Sequence, residues 1–79
     1  MNDTQRLTLA KLALQLDDIN EQIVALCDEE QEKMDNFPEN LQNSPTYQKI
    51  EEAADSLESI ANSLEEAAGI IQELYGGII

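Results

Sequence analysis

The sequence predicts an all-α protein: two long antiparallel helices joined by a loop containing proline and asparagine, assembling as a homo-oligomeric helical bundle. Three observations predict it. Residues 50 to 79 form a seven-residue repeat headed by Ile50, Leu57, Leu64, Ile71 and Ile78, with Ala54, Ala61, Ala68 and Tyr75 four places after the first four, the spacing of a helix that packs along a seam. Leu9, Leu12, Leu16, Ile19, Ile23 and Leu26 alternate by three and four residues, which sets them on one helical stripe. Between the two lies the one segment rich in helix breakers, N-FPENLQNS-P at 36–45, of a length that suits a connection between antiparallel helices.

The first helix is expected over 4–35. Asn2, Asp3 and Thr4 are all able to cap it, and Gln5 stands three residues after Asn2 as a capping box requires. Past Leu26 the stripe lands on Glu30 and Lys33, so the seam turns polar and the helix is expected to tip outward there. Phe37-Pro38 stops it, because proline disfavours helical geometry in the residue before it and has no N–H to donate.

Within the loop, one helical turn is expected at 38–42, with Pro38 in its first position and Leu41 folded back over the helix ends. Ser44-Pro45 reads as the cap and first residue of a second helix over 46–75, which Gly76-Gly77 stop ahead of an apolar tail at 76–79. Beside its leucines this helix repeats Ala53-Ala54, Ile60-Ala61 and Ala67-Ala68. Small residues there admit a close neighbour.

A chain of 79 residues has room for one domain, and so short a chain buries a modest share of its surface, which makes self-association an expectation from the outset. Its net charge of -13, from 17 acids against Arg6, Lys11, Lys33 and Lys49, argues against direct binding to nucleic acid or an anionic membrane. A basic partner fits better. The start lacks the basic and apolar regions of a signal peptide and no uncharged apolar stretch reaches membrane-spanning length, so a cytoplasmic location is expected, the host cytoplasm if the gene is a phage's.

Folding the helices antiparallel makes a rod with unlike ends. Leucines and isoleucines crowd the base, formed by the start of the first helix and the end of the second. Leu7 and Leu14 lie opposite the first-helix seam and Ile70 lies off the second, so a single hairpin would leave them wet. The expected oligomer interface is therefore Leu7, Leu14, Ile70 and the repeat itself: Ala54, Leu57, Ala61, Leu64, Ala68, Ile71, Tyr75 and Ile78. The tip carries Asp28, Glu29, Glu32, Asp35, Glu39, Glu51, Glu52 and Asp55, which with Phe37 and Leu41 form the expected partner-binding site.

Chemistry of other kinds finds little support. The run Asp28-Glu29-Glu30-Gln31-Glu32 is acidic enough to invite a cation, but consecutive helical residues point around the axis and the calcium-loop pattern with its glycine is absent. With no histidine there is no Glu-x-x-His bundle site, and the lone Cys27 has no base to activate it and no second cysteine to pair with. Neither a cofactor nor a metal is expected, and no enzyme; Cys27 reads as a small buried hydrophobe.

At Glu30 to Ser44 the run E-QEKMD-NFPENLQNS resembles a pattern in small acidic helical-hairpin proteins of Gram-positive bacteria and their phages: an acidic helix, then Asn-x-Pro-Glu-Asn-Leu-Gln-x-Ser, then a second helix with Leu-Glu repeats. The resemblance covers about half the chain, centred on Asn36, Pro38, Glu39, Asn40, Leu41, Gln42 and Ser44. It implies a phage or mobile-element setting and a loop of definite structure, and no catalytic residue. Two readings of the excess acid follow: solubility, or imitation of a phosphate backbone that occupies a basic groove on a nucleic-acid-binding host protein. The function expected is thus a non-enzymatic interaction protein that binds and inhibits such a host protein, with a scaffolding or virion-assembly role, or an antitoxin-like neutraliser of a basic toxin, as alternatives.

Overall fold

The computed structural model describes residues 1–75. The chain is a hairpin of two α-helices, α1 over Asp3–Asp35 and α2 over Pro45–Tyr75, joined through a 3-10 turn at Glu39–Leu41. The rod measures 59 × 14 × 14 Å. Gly76-Gly77, Ile78 and the tail at 76–79 lie outside the described residues.

Local chemistry explains both helix starts. Asn2 caps α1 by a reciprocal pair: the Gln5 N–H donates to Asn2 Oδ1 at 2.7 Å, and the Asn2 N–H donates to Gln5 Oε1 at 3.0 Å. Ser44 begins α2, its Oγ accepting from the Tyr47 N–H at 3.3 Å while its carbonyl takes the first helical bond, from Gln48.

In the loop, Pro38 is extended and stands one residue ahead of the turn instead of opening it. The Leu41 N–H donates to the Pro38 carbonyl at 2.9 Å, and the Ser44 N–H to the Leu41 carbonyl at 3.0 Å. Leu41 does not fold back over the helix ends; it remains 47% exposed. Phe37 takes that place, tilted against Tyr47 with ring centroids 5.3 Å apart. An aromatic pair spans the gap between the helices better than one leucine on a short turn.

The seam on α1 differs from the stripe in the sequence. The side chains covered by α2 are Leu9, Ala13, Leu16, Asn20, Ile23, Cys27, Glu30 and Met34, again alternating by three and four, with Ala13 buried. Leu9, Leu16 and Ile23 are common to both sets. Leu12, Ile19 and Leu26 are not, and each stands 47% exposed. On α2 the covered positions are Ile50, Ala54, Leu57, Ala61, Leu64, Ala68, Ile71 and Tyr75, with Ala54 wholly enclosed.

Cys27 Sγ lies 3.7 Å from the Ala54 carbonyl oxygen, and this contact registers the hairpin. Moving seven residues back on α1 and seven forward on α2 sets Asn20 across from Ala61, and a further seven sets Ala13 across from Ala68. Small residues thus meet small residues in alternate layers, which brings the helices close and lets Leu16 and Ile23 pack beside Leu64 and Leu57.

Nor does α1 tip outward where its seam turns polar. Glu30 lies on the seam with its side chain only 19% exposed, and its carboxylate accepts a hydrogen bond from Lys33 Nζ at 2.8 Å. The helix continues through to Asp35. Asn36 then closes it, its N–H donating to the Glu32 carbonyl at 3.1 Å.

Candidate functional site

Antiparallel pairing sorts the remaining side chains into two broad faces. The residues just before Ala13, Asn20 and Cys27 on α1 and before Ala54, Ala61, Ala68 and Tyr75 on α2 fall on one side of the hairpin: Leu12, Ile19 and Leu26, and Ala53, Ile60, Ala67 and Leu74. These residues form an apolar face along the middle of the rod. Its outer edges are Thr8, Gln15, Gln22, Glu29, Lys49, Ser56, Ser63 and Ile70, so among the described residues Glu29 is the one acid on this side.

The opposite side carries Asp3, Asp17, Glu21, Asp28 and Asp35 from α1 and Glu51, Asp55, Glu58 and Glu65 from α2, all exposed. Among the described residues no Lys or Arg shares this side: Arg6 is on the seam, Lys11 on the back of α1, and Lys33 and Lys49 on the apolar side. The carboxylates from Asp17 to Asp35 and from Glu51 to Glu65, toward the loop end of the rod, create a negative potential that reaches about a Debye length, roughly 8 Å at physiological salt. Among the described residues the two ion pairs are local to α1, Glu30–Lys33 at 2.8 Å and Asp3–Arg6 at 4.0 Å. Hydrogen bonding to Glu30, and its charge, hold the Lys33 ammonium's pKa above the ordinary lysine value.

The residues expected to bind a partner therefore divide. Asp28, Asp35, Glu51 and Asp55 come together on the acidic face; Glu32 and Glu52 lie on the outward backs of the helices, Glu39 in the turn, and Glu29 across on the apolar side. Phe37 is half-buried against Tyr47, leaving Leu41 as the exposed apolar residue of the tip. A shallow groove at the loop end is lined by Glu29, Glu32, Lys33 and Asn36.

The residues expected at an oligomer interface divide as well. Ala54, Leu57, Ala61, Leu64, Ala68, Ile71 and Tyr75 are covered by α1 of the same chain, so in the hairpin the repeat serves as the seam between the two helices. The physical reason is that alanines on α2 find Ala13, Asn20 and Cys27 on α1 as close-packing mates. Leu7 and Leu14, at 61% and 70% exposed, lie toward the acidic side near the base, away from Ile70. Ile78 is outside the described residues.

Sequence reasoning missed the open apolar face, although Ala13, Asn20 and Cys27, seven apart beside Leu12, Ile19 and Leu26, were a signal for it. Among the described residues no group of three or more His, Cys, Asp or Glu side chains is placed to hold a metal ion. No helix there is long and apolar enough to cross a membrane. The molecule is thus an antiparallel helical hairpin with one apolar and one acidic face. Comparison with known proteins adds no relative: no family model, curated protein or solved structure matches the chain.

Proposed function

We propose that the chain is a non-enzymatic interaction protein that works as a homo-oligomeric helical bundle and presents its acidic face to a basic protein surface. The observation that carries this reading is the set of exposed carboxylates Asp17, Glu21, Asp28 and Asp35 on α1 and Glu51, Asp55, Glu58 and Glu65 on α2, with no cation among them. A surface of this kind attracts basic partners over long range and repels nucleic acid. The partner class is a nucleic-acid-binding host protein, whose basic groove the acids occupy in place of a phosphate backbone. The N-F-P-E-N-L-Q-N-S loop supports a phage or mobile-element setting through its resemblance to such proteins, and inhibition of a host defence protein in the cytoplasm accords with it.

The test compares charge reversals matched in number. Asp28→Lys with Asp55→Lys on the acidic face should abolish capture of a basic, nucleic-acid-binding protein from host extract, whereas Glu66→Lys with Glu73→Lys on the back of α2 should leave it. Equal loss in both pairs would reduce the acids to bulk charge and solubility. Retention in both removes the reading.

A scaffolding or assembly role is the second reading, favoured by the exposed Leu7 and Leu14, which neither face of the hairpin uses. Under it, removing residues 76–79 abolishes higher assembly and acid reversals do little.

A further inference from the structure

We infer that the apolar face is the homodimer interface, and that two copies meet on it end over end, about a two-fold axis running past Ile19 and Ile60. This rests on the reading of the chain as a homo-oligomer and specifies the surface and geometry. Leu12, Ile19, Leu26 and Ile60 are 47%, 47%, 47% and 43% exposed, and Leu74 is 54% exposed on the same side. They are not scattered. They are continuous with the half-buried Leu9, Leu16, Leu57 and Leu64, which lean to this side of the seam, so the apolar stripe of each helix is centred between the partner helix and the open face.

Three observations commit this face to a second copy of the chain. The first is charge. A molecule of net charge -13 resists meeting itself, and this side bears one acid, Glu29, against Lys33 and Lys49, while fourteen of the 17 acids lie on the acidic side or the backs of the helices. It is the side on which two copies can approach. The second is shape: the rod is 59 Å long and 14 Å across, and a second copy of the same length laid on the apolar side would cover it from end to end.

The third is symmetry. A two-fold interface must be complementary to itself. Leu12 and Leu26 stand seven residues to either side of Ile19, and Ala53 and Ala67 stand seven to either side of Ile60. In the register set by Cys27 and Ala54, Ile19 and Ile60 lie at one level to within about 3 Å, from the 1.5 Å rise per residue. Rotation about an axis across the rod at that level puts Ile19 on Ile19, Ile60 on Ile60, Leu12 on Leu26 and Ala53 on Ala67. Large meets large all along the α1 side, and on the α2 side the central Ile60 pair is flanked by alanine on alanine. The loop-to-loop alternative, with the axis along the rod, would instead put both acidic tips side by side. End over end, they sit at opposite ends of a four-helix bundle, so one dimer offers two acidic surfaces facing away from each other.

The full chain is tested by light scattering after size exclusion at micromolar concentration, with circular dichroism recording whether the helices persist. Twice the 8.8 kDa chain mass is expected, falling to one chain mass in Ile19→Glu and in Ile60→Glu, with Val24→Glu on the acidic side remaining dimeric. Disulfide trapping in a Cys27→Ala background reads the geometry without depending on the folding of a charged variant. Ile19→Cys alone should oxidise to a covalent dimer, and Leu12→Cys should cross-link when mixed with Leu26→Cys but not by itself. A monomeric parent chain, or a dimer indifferent to both glutamates, overturns the interface; cross-linking of Ile19→Cys only with Ile60→Cys overturns the end-over-end geometry. None of these outcomes involves the basic partner, so the dimer stands or falls apart from partner capture.

Discussion

The two broad faces of the hairpin are built from the same two helices yet bear opposite chemistry. One side of the seam presents Leu12, Ile19, Leu26 and Ile60 between rims of threonine, glutamine and serine. The other presents nine carboxylates, of which Asp3 alone has a cation, Arg6, within 4.0 Å among the described residues. The difference arises from where the seam cuts the apolar stripe. Because small Ala13, Asn20 and Cys27 are the mates of Ala68, Ala61 and Ala54, each helix turns Leu12, Ile19, Leu26 or Ile60 to one side, and nine of the 17 acids are left on the other. Apolar burial and charge repulsion then act together, since the side that gains from contact is also the side that is nearly free of acid.

Removing the apolar side should have the largest effect. Leu12→Gln, Ile19→Gln and Leu26→Gln combined should weaken self-association by several kcal/mol, because each is about half exposed and full burial of such a side chain is worth about 1.5–3 kcal/mol. Sedimentation equilibrium reads the loss, with Leu7→Gln and Leu14→Gln as the pair that should leave it unchanged.

Next is the seam that orients the faces. Ala54 has no exposed surface, so Ala54→Leu should overpack its layer and destabilise the hairpin by about 1–3 kcal/mol in chemical denaturation. A neutral result would mean that the alanine layers do not set the helix spacing. Asn20→Ala should move the other way. The Asn20 Oδ1 is enclosed with no hydrogen-bond partner among the described residues, and relieving an unsatisfied polar group is worth about 1–3 kcal/mol before the lost contacts of the amide are subtracted. A higher Tm is expected; a lower one would give Asn20 a positive role in register.

Salt sharpens the contrast through opposite signs. Raising ionic strength from about 0.01 to 0.15 M shortens the Debye length from roughly 30 to 8 Å, which should strengthen dimerisation by screening like charge and weaken capture of a basic partner. Parallel changes in the two measurements would show that both use one surface.

The smallest effect is at Lys33. Its raised pKa means that the bond to Glu30 stabilises the fold below the ordinary lysine value of 10.5 and is lost as pH rises through the folded value. Lys33→Met should therefore lower Tm slightly at pH 7 and leave it unaltered at strongly alkaline pH.

Much of this molecule is determined by sequence alone, for reasons that are local. Two stripes at helical spacing, a capping box at Asn2 and Gln5, Ser44-Pro45 at the second start and the Phe37-Pro38 stop define two helices and a turn, because caps and breakers act within four residues of themselves. The acidity that argues against nucleic acid as a direct partner is equally legible. Which edge of a stripe two helices share is a different kind of fact. Leu9, Leu12, Leu16, Ile19, Ile23 and Leu26 are all apolar, and nothing in their spacing distinguishes the three that face α2 from the three that do not. That choice was decided across the hairpin, by alanines on α2 that pack only against small residues on α1, and it turned a single seam into a seam with an apolar face beside it.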